Sequence, residues 1–583
     1  MKKEDKVLSG GILIDYQEDV MYIEGANGAR REIADFTLKR IGVGWDASPT
    51  KNENPDGYEH YLMELSVRHS SYRNKRITVP IHVMSDAKEF MKFFGKYDGN
   101  FFGSSRDLNQ LNSILKEMAE KEKQLTFYLV KETCGRFKIG GKDLWVFDNG
   151  YLIDGKFVEE KGEYLYEEGK ALVVERGYER GEAPYYHKGI SSSFPVSTLA
   201  ETSKFFNSNP SAIPLILGFY AGSLHYEDVM EAVGEGFFPI LHIVGETSTG
   251  KTELFTNLFS SLVGTRNISP GAWVGTSKFV LEKSLSTASH FPMIMDEFRE
   301  RGKSAHKEAK DEILRSVYNR GVFKKGRADL TMRTMKPVST LVLMGQDSPK
   351  DAAVRNRCAS IYLGKEDVVT RSEWGEIKAK ALHNEFFEFL NYVIEKGIDK
   401  DLLKKDYRFF ADKIKSITRT ASNYCMLLAC FSYFFIPETQ DREEKMLSLV
   451  AATNTHIDQD SEEANSGKTI NEFFYQAEKS IVRSKDKYMC DFVLNEDGYW
   501  YVYLSGLSGL MNSQELDEVG ISDRGLVDLL KNNYGAEGVQ KKMNSVNRRV
   551  WKISEKEAPS YLNSDLVQSL KDELSKKEND ERS

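Results

Sequence analysis

Gly245-Glu246-Thr247-Ser248-Thr249-Gly250-Lys251-Thr252 is the stretch that decides how this 583-residue chain is read. The apolar run Phe237–Val244 leads into it, and Glu253–Val263 follows, with Leu254, Leu258 and Leu262 recurring at every fourth position. Strand, glycine-bounded loop and helix form the setting in which G-x-x-x-x-G-K-[ST] means a phosphate cradle rather than an ordinary β–α turn. The glycines let the backbone curl until its N–H groups face an anion, and the helix N-terminus adds the positive end of its dipole. Lys251 is placed to reach β- and γ-phosphates and Thr252 to hold Mg²⁺, so ATP with Mg²⁺ is the expected pair.

The length predicts several domains. With 80 Lys and Arg against 88 Asp and Glu, the net charge is −8 and the pI near 5.9, so any nucleic-acid site must be a local basic patch. Five scattered cysteines without a C-x-x-C pair indicate neither a disulfide framework nor a zinc site. The N-terminal segment lacks the apolar core of a secretory signal, and Ile213–Leu224 is too short to span a bilayer. A cytoplasmic protein with no membrane partner is expected.

Residues 1–160 read as a mainly β binding or assembly domain. Tyr61, Met63, Leu65 and Val67 alternate, as do Ile77, Val79, Ile81 and Val83. Asn149-Gly150 signals a hairpin, Leu108–Lys121 a helix, and no catalytic constellation is present. Residues 161–204 are charged and aromatic with few periodic cues, and are read as a connector. Pro210–Tyr226 is read as a buried helix packed on the nucleotide domain, which spans 205–365.

Within that domain, Phe291-Pro-Met-Ile-Met-Asp296-Glu297 is an apolar strand ending in two carboxylates. After a phosphate loop, Asp296 is expected near Mg²⁺ and Glu297 is expected to polarise the attacking water. Arg315–Lys336 then carries Arg315, Arg320, Lys324, Lys325, Arg327, Arg333 and Lys336 against the single acid Asp329. It reads as a β-hairpin, and charge density alone fits phosphate-backbone binding and a solvated surface equally well. Ser339–Gln346 is a further apolar strand ending in a polar side chain able to touch the γ-phosphate or the water. Arg355 and Arg357 stand just before the strand Cys358–Leu363, where an arginine can reach a neighbouring subunit's phosphates.

Residues 366–455 read as a helical lid with helices over Ala379–Lys396 and Ser422–Phe434, and 456–467 as a polar linker. Residues 468–560 combine a strand at Trp500, a helix over Ser522–Tyr534 and a strand over Val546–Ile553. With Lys541, Lys542, Arg548, Arg549 and Lys552 on the hairpin, this suggests a winged-helix unit binding duplex DNA, or else an oligomerisation cap. The tail, 561–583, is charged and expected to be disordered. The fold class is therefore multidomain α/β.

Taken together, GETSTGKTEL, FPMIMDE, YNRGVFKKGRADLTMR before TLVLMGQD, DAAVRNRC and RTASNYCMLLA resemble the AAA+ helicases of mobile genetic elements. The likeness is to MCM-like replication initiators of staphylococcal pathogenicity islands and cassette chromosomes, and to phage-type primase–helicase ATPases. It spans about 205–435 and is looser elsewhere. It implies a P-loop AAA+ core in a homohexamer translocating on single-stranded DNA. Lys324 or Lys325, with Arg327 nearby, would sit on a hairpin gripping the strand in the ring's channel. Gln346 would take the place of sensor one, where such ATPases usually have Asn. The resemblance makes Arg357 the arginine finger and Arg419 sensor two. An AAA+ ATPase that remodels a protein or nucleoprotein assembly without unwinding is the alternative. A primase would need clustered acids, and Asp143, Asp148 and Asp154 lack the spacing.

Overall fold

The computed structural model describes residues 6–46, 58–121, 125–159, 164–187, 203–245, 249–298, 304–363, 374–376, 386–484, 488–512 and 526–573. Excepted within those ranges are 10, 26, 132, 140–141, 168–169, 176–182, 207–208, 266–270, 274, 327–331, 347, 350, 415–418, 460–461, 528–529, 532–533, 544–545, 557, 560, 563–565 and 567.

Four short apolar runs and one two-residue edge strand build the central parallel sheet: β1 (Ile240–Gly245), β2 (Gly271–Ala272, the edge), β3 (Pro292–Phe298), β4 (Thr340–Gly345) and β5 (Cys358–Leu363). Their order is β2-β3-β4-β1-β5, so β4 lies between the strand that enters the glycine loop and the strand that carries the two acids. Because both faces of β1, β4 and β5 are covered, these strands are near-continuously buried rather than alternating. Leu241 and Ile243 pack into one cluster of buried side chains, and Ile240 into the other. The architecture is multidomain α/β.

The buried helix expected at 210–226 forms as Ala212–Leu224, followed by Tyr226–Val233. It packs against Arg419–Phe435 along a glycine seam. A Cβ on Gly218 would lie 2.0 Å from the Leu427 carbonyl oxygen, and one on Gly222 would lie 2.9 Å from Cys430 Sγ. Gly218 and Gly222 therefore let two helix backbones meet without side chains between them.

The amino-terminal region divides differently from expectation. A six-stranded sheet orders Tyr164–Glu167, Lys170–Glu175, Leu125–Lys131, Phe36–Asp46, His60–Val67 and Lys75–Pro80. The supposed connector thus supplies two strands, and Lys170–Glu175 pairs in parallel with Leu125–Lys131. The strand from Ile77 stops at Pro80, which has no N–H for the ladder, and 81–85 form a 3₁₀ turn. A second sheet, covering Cys134–Glu159, gains Ala288–Ser289 of the central domain as its fifth strand. Its hairpin turns at Asp148-Asn149, one residue earlier than the sequence suggests, because Asn149 brackets the backbone of Tyr186 through both ends of its amide.

Buried charge also joins this sheet to the central domain. Arg136 donates to Asp143 at 2.7 Å and to Asp228, with the His225 ring alongside. Burial and the Arg136 charge push His225 down to about 4, and the same causes hold His290 well below the ordinary histidine range. Both rings are therefore neutral near pH 7.

The expected linker, 456–467, is largely helical: helices Arg442–Gln459 and Glu462–Arg483 run through it on either side of residues 460–461. Polar composition signals a loop only where no flanking helix propagates into it, and Glu and Ala propagate well. The start of the tail is also folded, since Leu570 is buried in the C-terminal core and Glu573 accepts the Cys490 N–H at 3.1 Å. The expected helix at 379–396 forms as Phe387–Lys396, with 377–385 outside the described residues. Among the described residues no helix is long and apolar enough to cross a membrane.

Candidate active site

β1 runs fully buried into the loop. A Cβ at Gly245 would meet the Leu363 carbonyl oxygen at 2.4 Å, so the close approach of β5 requires glycine there. Glu246, Thr247 and Ser248 lie outside the described residues. Gly250 takes a left-handed φ of 81° and hands the chain to a helical run over Lys251–Val263. That run contains a π-type turn at Leu254–Leu258, and Leu254, Leu258 and Leu262 are buried as their spacing predicts. Lys251 is 8% exposed, and its Nζ donates to the Gly245 carbonyl at 2.7 Å and to Thr249 Oγ1 at 3.2 Å. A buried ammonium held over its own loop is a donor set ready to exchange neutral acceptors for phosphate oxygens.

Thr252, in the first helical turn after the loop, and Asp296, on β3, are 44 positions apart and meet directly: Thr252 Oγ1 donates to Asp296 Oδ2 at 2.6 Å. A hydroxyl beside a carboxylate is the hard-oxygen pair that suits Mg²⁺, which takes one or two carboxylates and completes its shell with water and phosphate. The two residues fit that ion.

At Asp296–Glu297 the pairing of β3 with β4 shifts register, and Glu297 adopts a left-handed φ of 56°. Its N–H donates to Asp296 Oδ1 at 2.7 Å. Regular strand geometry sends consecutive side chains to opposite faces, and the bulge breaks that alternation next to the loop. A non-glycine residue in this conformation costs about 1–2 kcal/mol, a cost commonly retained where geometry serves chemistry. Glu297 is exposed at the sheet's carboxyl edge, and Gln346 is exposed just past the end of β4, between the other two elements.

Arg357 stands elsewhere. Its carbonyl accepts the Ile240 N–H at 3.1 Å, which fixes it at the amino ends of β1 and β5. Register pairs Ile240 with Cys358 and Gly245 with Leu363, so the length of the strand, about 16 Å, separates it from the loop. Its guanidinium lies 5.5 Å from the Tyr318 ring centre and donates to the Ala353 carbonyl, and Arg419 lies 5.9 Å from the same ring. Burial and the adjacent Arg419 lower the Arg357 pKa. The sequence does not suggest this pairing. It sets Arg419 at the opposite end of the sheet from its own Lys251, so a sensor contact within one chain does not fit. Arg355 is half-buried in the short helix before Arg357.

The basic stretch divides in two. Arg315 pairs with Asp351, Lys336 lies 3.7 Å from Glu227, and half-buried Arg320 lies 4.0 Å over the Tyr226 ring while donating to the Ser339 carbonyl at 2.6 Å. These three cations serve the fold. The others belong to a real hairpin, Phe323–Gly326 paired antiparallel with Met332–Met335, which puts Lys324 opposite Thr334 and Lys325 opposite Arg333. Arg327 lies outside the described residues.

In the C-terminal unit, strands Val493–Glu496, Tyr499–Val502, Val546–Ser554 and Glu537–Met543 form an antiparallel sheet in that order. Between Tyr499–Val502 and the last hairpin, Leu526, Val527, Leu530, Lys531 and Tyr534 are helical, and Gly535 ends the segment at φ 57°. Lys542 and Arg549 are exposed on the hairpin, whereas Lys541 is held by Glu496, which raises its pKa. Arg548 lies 4.7 Å over the Tyr503 ring.

No protein-family model matches the chain, and no curated protein matches it. Among solved structures it is similar to one described as "SCCmec type IV Cch - active helicase", at 14% identity over 95% of this chain and 99% of that one, with a TM-score of 0.48. It is also similar to an apo form of the NrS-1 C-terminal region, at 11% identity over 88% of this chain and 95% of that one, with a TM-score of 0.29. The chemistry is read from the residues themselves.

Proposed function

We propose that this protein is an ATP-hydrolysing DNA helicase and replication initiator that works as a homohexamer on single-stranded DNA. The observation that carries the reading is the 2.6 Å contact of Thr252 with Asp296, which joins the phosphate loop to the acid strand. Lys251 and the loop N–H groups bind the β- and γ-phosphates, and Thr252 and Asp296 would hold Mg²⁺, which would offset charge on them. Glu297 accepts a proton from the attacking water, and the Gln346 amide orients that water or the γ-phosphate. Arg357 and Arg419, a strand's length from their own loop, reach the phosphates of a neighbouring subunit and stabilise the charge that develops there. Each nucleotide is then bound by one subunit and completed by the next. Lys324 and Lys325 on the central hairpin, with Arg327 following in sequence, grip the DNA strand, and hydrolysis moves the hairpins along it. Lys541, Lys542, Arg548 and Arg549 belong to a winged-helix unit that contacts DNA phosphates.

Subunit mixing tests the shared site. Lys251→Ala and Arg357→Ala proteins are each expected to be inactive alone. Mixed in equal amounts, they form some interfaces with an intact loop on one side and intact arginines on the other, and turnover returns in part. Absence of any recovery, with mixed assembly verified by mass, would contradict a site built from two subunits.

A further inference from the structure

The last sheet has one face against the C-terminal core, where Trp500, Val502, Trp551 and Ile553 are buried. Period-two alternation puts Tyr499 and Tyr501 on the other face, and Tyr503 follows just past the strand end. Three cations from the last hairpin lie over these rings: Lys552 3.8 Å from Tyr499, Lys541 4.3 Å from Tyr501 and Arg548 4.7 Å from Tyr503. Rings and positive charge therefore alternate along one surface. Tyr501 is 9% exposed and anchors Lys541, whereas Tyr499 is 37% exposed and Tyr503 half-buried.

We propose that this sheet face binds single-stranded nucleic acid by stacking unpaired bases on Tyr499 and Tyr503, with Lys552, Arg548 and Lys541 meeting the phosphates. A flat ring recognises a base only through the base's own face, which a duplex hides within its stack and an unpaired strand presents. An exposed cation–ring contact is weaker than base stacking on the same ring, so an incoming base displaces the ammonium of Lys552 from Tyr499. The displaced ammonium then meets the adjoining phosphate. Two acids share the surface: Glu496, which holds Lys541, and Glu537, which stands opposite Lys552. Lys542 and Arg549 alternate onto the opposite face, so three cations meet two acids here and the balance stays positive. The contact is distinct from groove binding by the helix and hairpin, and it does not require the protein to unwind duplex.

Photocrosslinking of the full chain to an oligothymidylate carrying 5-iodouracil, followed by peptide mapping, tests this directly. Adducts are expected at Tyr499 or Tyr503. In anisotropy titrations Tyr499→Ala should weaken oligothymidylate binding about tenfold, and Tyr499→Phe, which keeps the ring, should bind as wild type does. Binding to a blunt duplex should not change in either variant. Adducts confined to 323–335 with unchanged affinity in Tyr499→Ala would overturn the stacking surface and leave the helicase proposal standing. Adducts at Tyr499 in a protein that fails to separate strands would do the reverse. An equal loss of single-strand and duplex affinity would also overturn stacking.

Discussion

The glycine seam between Ala212–Leu224 and Arg419–Phe435 makes a small change consequential. In Gly218→Ala the new methyl carbon would lie 2.0 Å from the Leu427 carbonyl oxygen, where ordinary contact begins at 3.4 Å, so the helices must separate by 3.4 − 2.0, or 1.4 Å. The obstacle is backbone and cannot rotate away, which puts the strain near 3 kcal/mol, the upper end of the overpacking range. Replacing an interior helical glycine with alanine returns about 1 kcal/mol, leaving a net loss of about 2 kcal/mol. For a cooperative unit of roughly 200 residues that is about 4–8 °C in melting temperature. The moved helix begins at Arg419, and an error of about 1 Å in placing a catalytic group can cost about a hundredfold in rate. Calorimetry and steady-state ATP turnover measure both effects, with Gly236→Ala as control because nothing lies within 4 Å of its new methyl. If Gly218→Ala melts and turns over as the control does, the helices do not meet as described.

Lys251→Ala should weaken nucleotide binding, since a buried donor of the loop is removed, while Glu297→Gln should bind nucleotide normally and stop turnover; equilibrium binding and phosphate release separate the two. Acid should destabilise the fold through His225, whose folded pKa is about 4 against 6.5 for a free histidine, because of burial and then Arg136. The folded state binds fewer protons between those values, so stability present above about pH 6.5 is lost as pH falls toward 4, roughly 2 kcal/mol by pH 5. The gap between denaturant midpoints at pH 7 and pH 5 should therefore narrow in His225→Phe, with His290 supplying the remainder; an unchanged gap would remove His225 as a cause.

Much of the central domain is legible in the sequence because its signals are local. The loop glycines, the leucines at every fourth position and the apolar run into Asp296-Glu297 all report on neighbours a few residues away. The hairpin around Gly326 is legible for the same reason. What is lost depends on distance along the chain. Arg357 and Arg419 are 62 positions apart, and Tyr318, from a third element, brings them together with Asn423, which donates to the Asn356 and Cys358 carbonyls. Arg320 reads as one more cation in a basic stretch, but the aromatic ring of Tyr226 and the Ser339 carbonyl hold it against the fold. The division of the amino-terminal region is hidden similarly, since Ala288–Ser289 joins Cys134–Ile139 across a separation that no periodicity spans. The left-handed Glu297 has no sequence signal, because glycine is the usual marker of that conformation and glutamate is not.

ATP-dependent separation of a forked DNA substrate tests the central claim most directly. Wild-type protein should displace the strand only when ATP is hydrolysed, and Glu297→Gln should not displace it. Lys324→Ala with Lys325→Ala should keep basal ATP turnover while losing both its stimulation by DNA and strand displacement. A wild-type protein that hydrolyses ATP yet leaves the fork annealed would contradict the account.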